Sequence, residues 1–299
     1  MSVYTARNTK HRELSGDAIS TRAFEQLRDF IRAESGISLG SAKRDLLCSR
    51  LARRIRHLGL RGYDEYYHHL LTVDRDGTEL QQMVNCVTTT KTDFFRESHH
   101  FDFLRNHAIR QWRANAAATS NFKLRIWSTA CSRGHEPYSV AITLMDHFGP
   151  RVGWDIKILG TDINTDVLEI AERGIYPIEE IADLPREVRD RHFMKGTGRW
   201  VRTVRVRDEL RRMVAFRRLN IAASDWPFQG AFNAIFCRNV MIYFDEPQQR
   251  QLVAKLSERL ESGGNLFLGH SENQSWLTNY VEPLGQTIYC KRGPLSTND

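Results

Sequence analysis

The sequence has little cysteine, no long apolar run and no glycine-rich phosphate loop, and each shortage removes a class of protein. Five cysteines, Cys48, Cys86, Cys131, Cys237 and Cys290, stand far apart in 299 residues. An odd, scattered set fits neither a disulfide scaffold nor a zinc site, so reduced, mostly structural thiols and no metal are expected. No apolar stretch approaches the roughly 18 residues of a membrane span. The first sixteen residues are polar and charged, without the apolar core of a signal peptide, which makes the cytoplasm the expected compartment, with no direct membrane insertion. Neither an internal repeat nor a low-complexity tract is visible.

What is present describes a folded protein. Hydrophobic residues make up 41% and charged residues 26%, ordinary globular proportions, and the length suits two domains. The net charge of +7 is concentrated: residues 39–62 carry seven Lys/Arg against one acidic residue, and residues 186–218 carry twelve against four. Such local positive fields attract an acidic partner, whether nucleic acid, an anionic membrane or an acidic protein surface. Solvated helical faces would look the same.

Periodicity divides the chain. Ser20 can cap a helix carrying Phe24, Leu27, Phe30 and Ile31, with Gly36 as its stop. From Ser41 to Leu58, Leu47, Leu51, Ile55 and Leu58 share one face, with Lys43, Arg50, Arg53, Arg54 and Arg56 on the flank and far side. Further helical patterns cover Tyr63–Leu71, Thr78–Val87 and Ser98–Trp112, and Ala114–Asn121 reads as a linker. The expected division is a helical domain over residues 1–95, a connecting helix and linker over 96–120, and a second domain over 121–299. In that second domain strands alternate with helices: Lys123–Trp127, Pro137–His147, Ile156–Thr161, Thr165–Arg173, then Phe232–Phe236, Pro247–Leu260 and Asn265–Leu268, with Gly263-Gly264 as a helix exit. Asp183–Leu219 breaks the rhythm; its Val201, Val204 and Val206 and the later Met213–Phe216 suggest a small antiparallel insertion at about 183–219. The expected class is α/β: an all-helical N-terminal domain, then a parallel Rossmann-like sheet with an antiparallel insertion and ligands at the strands' carboxyl ends.

Three junctions carry chemistry. Trp127–Ser139 leaves a strand, turns at Gly134 and enters a helix at Pro137. One glycine cannot build the G-x-G-x-x-G loop that lets a backbone approach a pyrophosphate, so a dinucleotide is disfavoured. Glu136 would repel a phosphate there but suits an ammonium group, such as the methionine end of S-adenosylmethionine; alone, it is explained as an acid in a helix's first turn. Asp162 follows the second strand, where a carboxylate can accept from a ribose diol; alone, it would be a helix cap. Arg238, Asn239 and Tyr243 follow the strand Phe232–Phe236 at the cleft's expected mouth, although a tyrosine in an apolar stretch is usually core.

Val87-Thr-Thr-Thr-Lys-Thr-Asp-Phe-Phe-Arg-Glu97 adds the deciding pattern. With the loop 128–139, Thr161-Asp-Ile163, Cys237-Arg-Asn-Val-Met-Ile-Tyr-Phe-Asp245 and Gly269-His-Ser-Glu272, it makes residues 20–292 resemble the CheR-type chemotaxis receptor methyltransferases. The resemblance implies a class I S-adenosylmethionine-dependent enzyme that esterifies receptor glutamates. It implies that Thr90, Thr92 and Arg96 border the cofactor from the interdomain stretch, that Ala130, Glu136 and Asp162 hold its methionine and ribose portions, and that Asn220, Ile221, Arg238 and Asn239 complete its contacts. Arg96 and Tyr243 would flank the methyl group and the incoming substrate. Thr90 stands where members often have Asn, Ile221 where Leu is usual, and Arg133 and His135 where Thr and Glu are common. The implied partner is the cytoplasmic domain of a methyl-accepting receptor, whose acidic helices Arg50, Arg53, Arg54 and Arg56 could read. In some members the receptor's C-terminal peptide adds a strand to the insertion. Two other readings stand beside this one: a cofactor-binding adaptor without turnover, and a nucleic-acid methyltransferase, which the basic stretches suggest but no aromatic-interleaved platform supports.

Overall fold

The computed structural model describes residues 19–149 and 153–291; the leader read as free of a signal peptide lies outside them. These residues separate into two compact units, one holding 19–34 with 39–87, the other 35–38 with 88–149 and 153–291. Among the described residues no helix is long and apolar enough to cross a membrane.

The first unit is helical: α1 (Thr21–Ser35), α2 (Arg44–His57), α3 (Tyr63–Thr72) and α4 (Thr78–Val87). The Ser20 hydroxyl accepts the Ala23 N–H at 3.0 Å, the expected cap on α1. Leu47, Leu51 and Ile55, four residues apart on α2, are buried, and Gly59, at φ +70°, follows its end. Arg54 leaves the basic face of α2 for the interior. Its Nε lies 2.8 Å from the Glu79 carboxylate, which also accepts the Tyr66 hydroxyl at 2.8 Å. Glu79 is buried, so this pair satisfies a carboxylate that burial would otherwise make costly.

The second unit runs α5 (His99–Phe103), a π turn at Leu104–Ala108, α6 (Ile109–Thr119), β1 (Lys123–Ser128), α7 (His135–Phe148), β2 (Asp155–Asp162), α8 (Thr165–Arg173), β3 (Ile175–Pro177), α9 (Arg186–His192), β4 (Phe193–Lys195), β5 (Thr203–Val206), α10 (Asp208–Arg211), β6 (Val214–Arg218), β7 (Phe232–Cys237), α11 (Glu246–Glu258), β8 (Leu260–Leu268), β9 (Glu282–Gly285) and β10 (Ile288–Cys290). Among the described residues seven strands form one sheet in the order β6-β2-β1-β7-β8-β10-β9, in which β10 runs antiparallel to β8 and β9 and the other pairings are parallel. The chain winds outward from β1 through β2 to β6, then crosses to β7. That reversal places the ligand crevice at the carboxyl ends of β1, β2 and β7. Helix starts are well capped: Asn164 Oδ1 accepts from Asp166 and Val167 at α8, and Asp245 with Gln248 forms a capping box at α11.

Four expectations change. Ala114–Thr119 is the end of α6, not a linker, because an alanine run favours helix and Ile109, Trp112 and Ala116 bury one face. The expected Ser98–Trp112 helix is interrupted by the π turn. The antiparallel sheet is β3-β5-β4, spanning Ile175–Val206; Val214–Arg218 instead pairs parallel with β2 at the edge of the main sheet. Val201 is exposed in the turn before β5, while Val204 and Val206 alternate inward. Gly263-Gly264 lies within β8, at a register shift opposite β7, where a Cβ on Gly264 would stand 2.9 Å from the Glu261 carbonyl.

Candidate active site

Where β1 ends, the chain crosses Thr129–Gly134 into α7. Gly134 takes φ +89°, and a Cβ there would meet that of Ala171 at 2.8 Å, so this turn requires glycine. Glu136 lies in the first turn of α7, favoured by the helix dipole. Its carboxylate accepts the Ser128 hydroxyl at 2.7 Å and Arg238 Nη1 at 2.9 Å. Asp162 ends β2 and accepts backbone N–H groups from Ser132 at 2.8 Å and Asn164 at 2.9 Å. Burial pushes its carboxyl up from the ordinary value, and these amides pull it back.

Arg238 ties this loop to the stretch before α5. Its side chain is 2% exposed and its guanidinium also lies 3.2 Å from the Glu97 carboxylate and donates to the Arg96 carbonyl. Two carboxylates flank one buried cation. Asn239 adds a bond from Nδ2 to Glu97 Oε1 at 3.3 Å. Burial opposes the charge on Glu97, but Arg238, the His270 N–H and Asn239 hold its carboxyl below the usual range. Phe95, Glu97 and Asn239 all adopt positive φ, at 54°, 57° and 58°. Such conformations cost about 1–2 kcal/mol each in non-glycine residues and persist where surrounding contacts over-determine them. The Phe95 N–H, for instance, donates to Ser139 Oγ at 2.9 Å.

The stretch 88–97 is fastened to the crevice loops as well. Asn164 Nδ2 donates to Thr88 Oγ1 at 2.7 Å, and Ser132 Oγ to the Thr90 carbonyl at 2.9 Å. Thr92 and Ala130 are half-buried in their segments. The half-buried Arg96 reaches back to the Lys91 carbonyl at 3.3 Å. Asn220 and buried Ile221 follow β6, beside Asp162 through the Leu219 N–H to the Asp162 carbonyl at 2.9 Å. Tyr243 closes a short 3-10 turn, Met241–Tyr243, and its carbonyl accepts the Ser38 N–H at 2.8 Å. Of the eleven candidates outside α2, these bonds tie Thr90, Arg96, Glu136, Asp162, Arg238 and Asn239 to the crevice loops, while Thr92, Ala130, Asn220, Ile221 and Tyr243 lie on the segments that carry them. The four arginines of α2 belong to the other unit: Arg54 pairs inward with Glu79, Arg50 donates to the Val87 carbonyl, and Arg53 and Arg56 are exposed.

Residues 90–290 match the family described as CheR methyltransferase, SAM binding domain, and residues 22–88 match CheR methyltransferase, all-alpha domain. The chain belongs to the CheR methyltransferase family. Chemotaxis protein methyltransferase 2 of Pseudomonas aeruginosa is 44% identical over 268 residues, covering 89% of this chain and 91% of that relative. The chemotaxis protein methyltransferase of Escherichia coli is 42% identical over 274 residues, covering 91% and 92%.

The donor set suits the S-adenosylmethionine that names the CheR domain: carboxylates at Glu136 and Asp162, and no glycine cradle for phosphate. The departures at Arg133 and His135 prove compensated. Glu180 receives both, Arg133 Nη2 at 2.5 Å and His135 Nε2 at 2.7 Å, so the loop's added arginine and histidine both face a carboxylate beyond β3. Among the described residues one trio, Glu97, His99 and His100, has potential metal-ligand atoms within 4.8 Å of one another, but the Arg238 guanidinium already holds Glu97. Three carboxylates that organise the site, Glu97, Glu180 and Glu272, were not among the candidates. Glu97 and Glu272 close two of the quoted motifs, which is the signal that could have found them.

Proposed function

We propose that the protein transfers the methyl group of S-adenosylmethionine to glutamate carboxylates in the cytoplasmic domain of chemotaxis receptors, forming methyl esters. The observation that carries this reading is the buried Arg238, which joins Glu136 of the crevice loop to the Arg96–Glu97 segment and makes one assembly of the cofactor and substrate sides.

The cofactor supplies a methyl group on a positively charged sulfur. Glu136 accepts from its ammonium group and Asp162 from its ribose diol, with Thr90, Thr92, Ala130, Asn220, Ile221, Arg238 and Asn239 completing the contacts. A substrate carboxylate, with an ordinary pKa of about 4.3, is already ionised, so no general base is needed. Alignment remains, and it can contribute roughly 7–11 kcal/mol. Arg96 orients the carboxylate by forked hydrogen bonds without gripping it enough to blunt the nucleophile, and Tyr243 limits its approach. The helical region 1–95 recognises the receptor, with Arg53 and Arg56 as its outward charges. An exposed edge of the β3-β5-β4 sheet is where a receptor's C-terminal peptide would add a strand. The site of action is the cytoplasmic face of the receptor.

Glu136→Ala and Asp162→Ala should each weaken S-adenosylmethionine binding by about 1–3 kcal/mol, the cost of leaving a buried partner unpaired. Calorimetry showing unchanged affinity in both variants would remove the cofactor assignment.

A further inference from the structure

Glu272 lies in the turn after β8, 2% exposed, and no Lys, Arg or His of the described residues pairs with it. Four backbone amides serve it instead. Oε1 accepts from Val240 at 2.8 Å and Met241 at 2.7 Å, and Oε2 from Asn239 at 2.8 Å and Gly269 at 2.6 Å. Three consecutive amides converge on one carboxylate only because Asn239 takes the left-handed φ of +58°, the geometry of an anion nest. Those amides begin the 3-10 turn Met241–Tyr243, where a helix start leaves N–H groups without internal acceptors. Gly269 is shaped to this arrangement. A Cβ there would stand 2.5 Å from Asn239 Nδ2 and 2.8 Å from Asn239 N. Burial pushes the Glu272 carboxyl up from its ordinary value, and the four amides only partly counter that.

We propose that Glu272 is a positioning residue for methyl transfer: by gathering the amides of residues 239–241 it sets Asn239 toward the cofactor and Tyr243 toward the substrate, touching neither itself. The inference rests on the reading of Asn239 and Tyr243 given above. A merely structural carboxylate would contribute to stability alone. A positioning one couples cofactor affinity to turnover, because one loop carries both side chains.

The test is Glu272→Gln in the full chain. Glutamine keeps the shape but turns an amino group toward two of the four amides. S-adenosylmethionine affinity and turnover should each fall about tenfold, while the receptor KM changes far less and thermal unfolding remains cooperative. Combined with Tyr243→Phe, the turnover losses should fall short of multiplying, since both changes act through one loop; fully multiplicative losses would contradict the proposal. Gly269→Ala displaces the same loop without removing the carboxylate, should show the same split, and decides the matter if the glutamine variant does not fold. Silent Asn239→Ala and Tyr243→Phe variants would overturn the site reading and this inference with it. Impairment in those two, with normal affinity and turnover in Glu272→Gln and Gly269→Ala, would leave the site reading standing and Glu272 a structural brace.

Discussion

Glu97, Glu136, Glu272 and Arg238 set the geometry of the crevice, and their partial or complete burial makes each a stability element as well. Glu97 shows the overlap: it meets Arg238, Asn239 and the His270 N–H, and its second oxygen lies 3.6 Å from His100 Nδ1. His100 is fully buried, and burial, followed by the nearby Arg238, pushes its pKa down to about 3. A base whose folded pKa is depressed takes up its proton more readily when unfolded, so the stability of its neutral form is present above about pH 6.5 and is lost as pH falls toward 3. The lowered Glu97 carboxyl acts in the same direction at lower pH. Chemical denaturation followed between pH 6.5 and 4 should therefore show stability falling at up to about 1.4 kcal/mol per pH unit from this histidine. His100→Gln should flatten that slope; an unchanged slope would mean that the histidine is not held neutral in the folded state.

The elements divide the basic surface of α2 more sharply than the sequence pattern does. Arg54 and Arg53 are neighbours in a run of like charges, yet one pairs with buried Glu79 and the other faces solvent. Arg54→Ala should destabilise the protein by about 3 kcal/mol, toward the lower end for a broken buried pair because Arg54 is partly exposed, with little effect on receptor KM. Reversing Arg53 and Arg56 to Glu should instead raise receptor KM and weaken its salt dependence, with cofactor affinity unchanged. If steady-state kinetics show no change in receptor KM, the outer face of α2 is only solvated. This division was not legible in advance: periodicity assigns Arg54 to a helix flank, but Glu79 lies 25 residues away and nothing local announces the pairing. The same holds for Val214–Arg218, whose short alternation fits a hairpin as well as a parallel edge strand until β2 is known to lie beside it.

At the scale of the whole molecule, the alternation of strands and helices from Lys123 onward was readable because each helix carries its own local signals, such as Asn164 before α8 and Asp245 with Pro247 at α11. Crevice positions follow from that alternation, so Glu136, Asp162, Arg238 and Asn239 fall where an open α/β sheet binds ligands. The supporting carboxylates do not follow from it. Glu97 reaches Arg238 across 141 positions of chain and Glu272 reaches Asn239 across 33, contacts that only the folded topology brings together. The central claim is chemical, and the most direct measurement is transfer of labelled methyl groups from S-adenosylmethionine to the cytoplasmic domain of a receptor from the same organism, with RNA and DNA as parallel acceptors. The account predicts base-labile label, released as methanol, on receptor glutamates, none on nucleic acid, and lowered turnover in Arg96→Ala and Tyr243→Phe, the latter with near-normal cofactor binding. Label on nucleic acid, cofactor binding without transfer to any receptor, or wild-type turnover in both variants would contradict it.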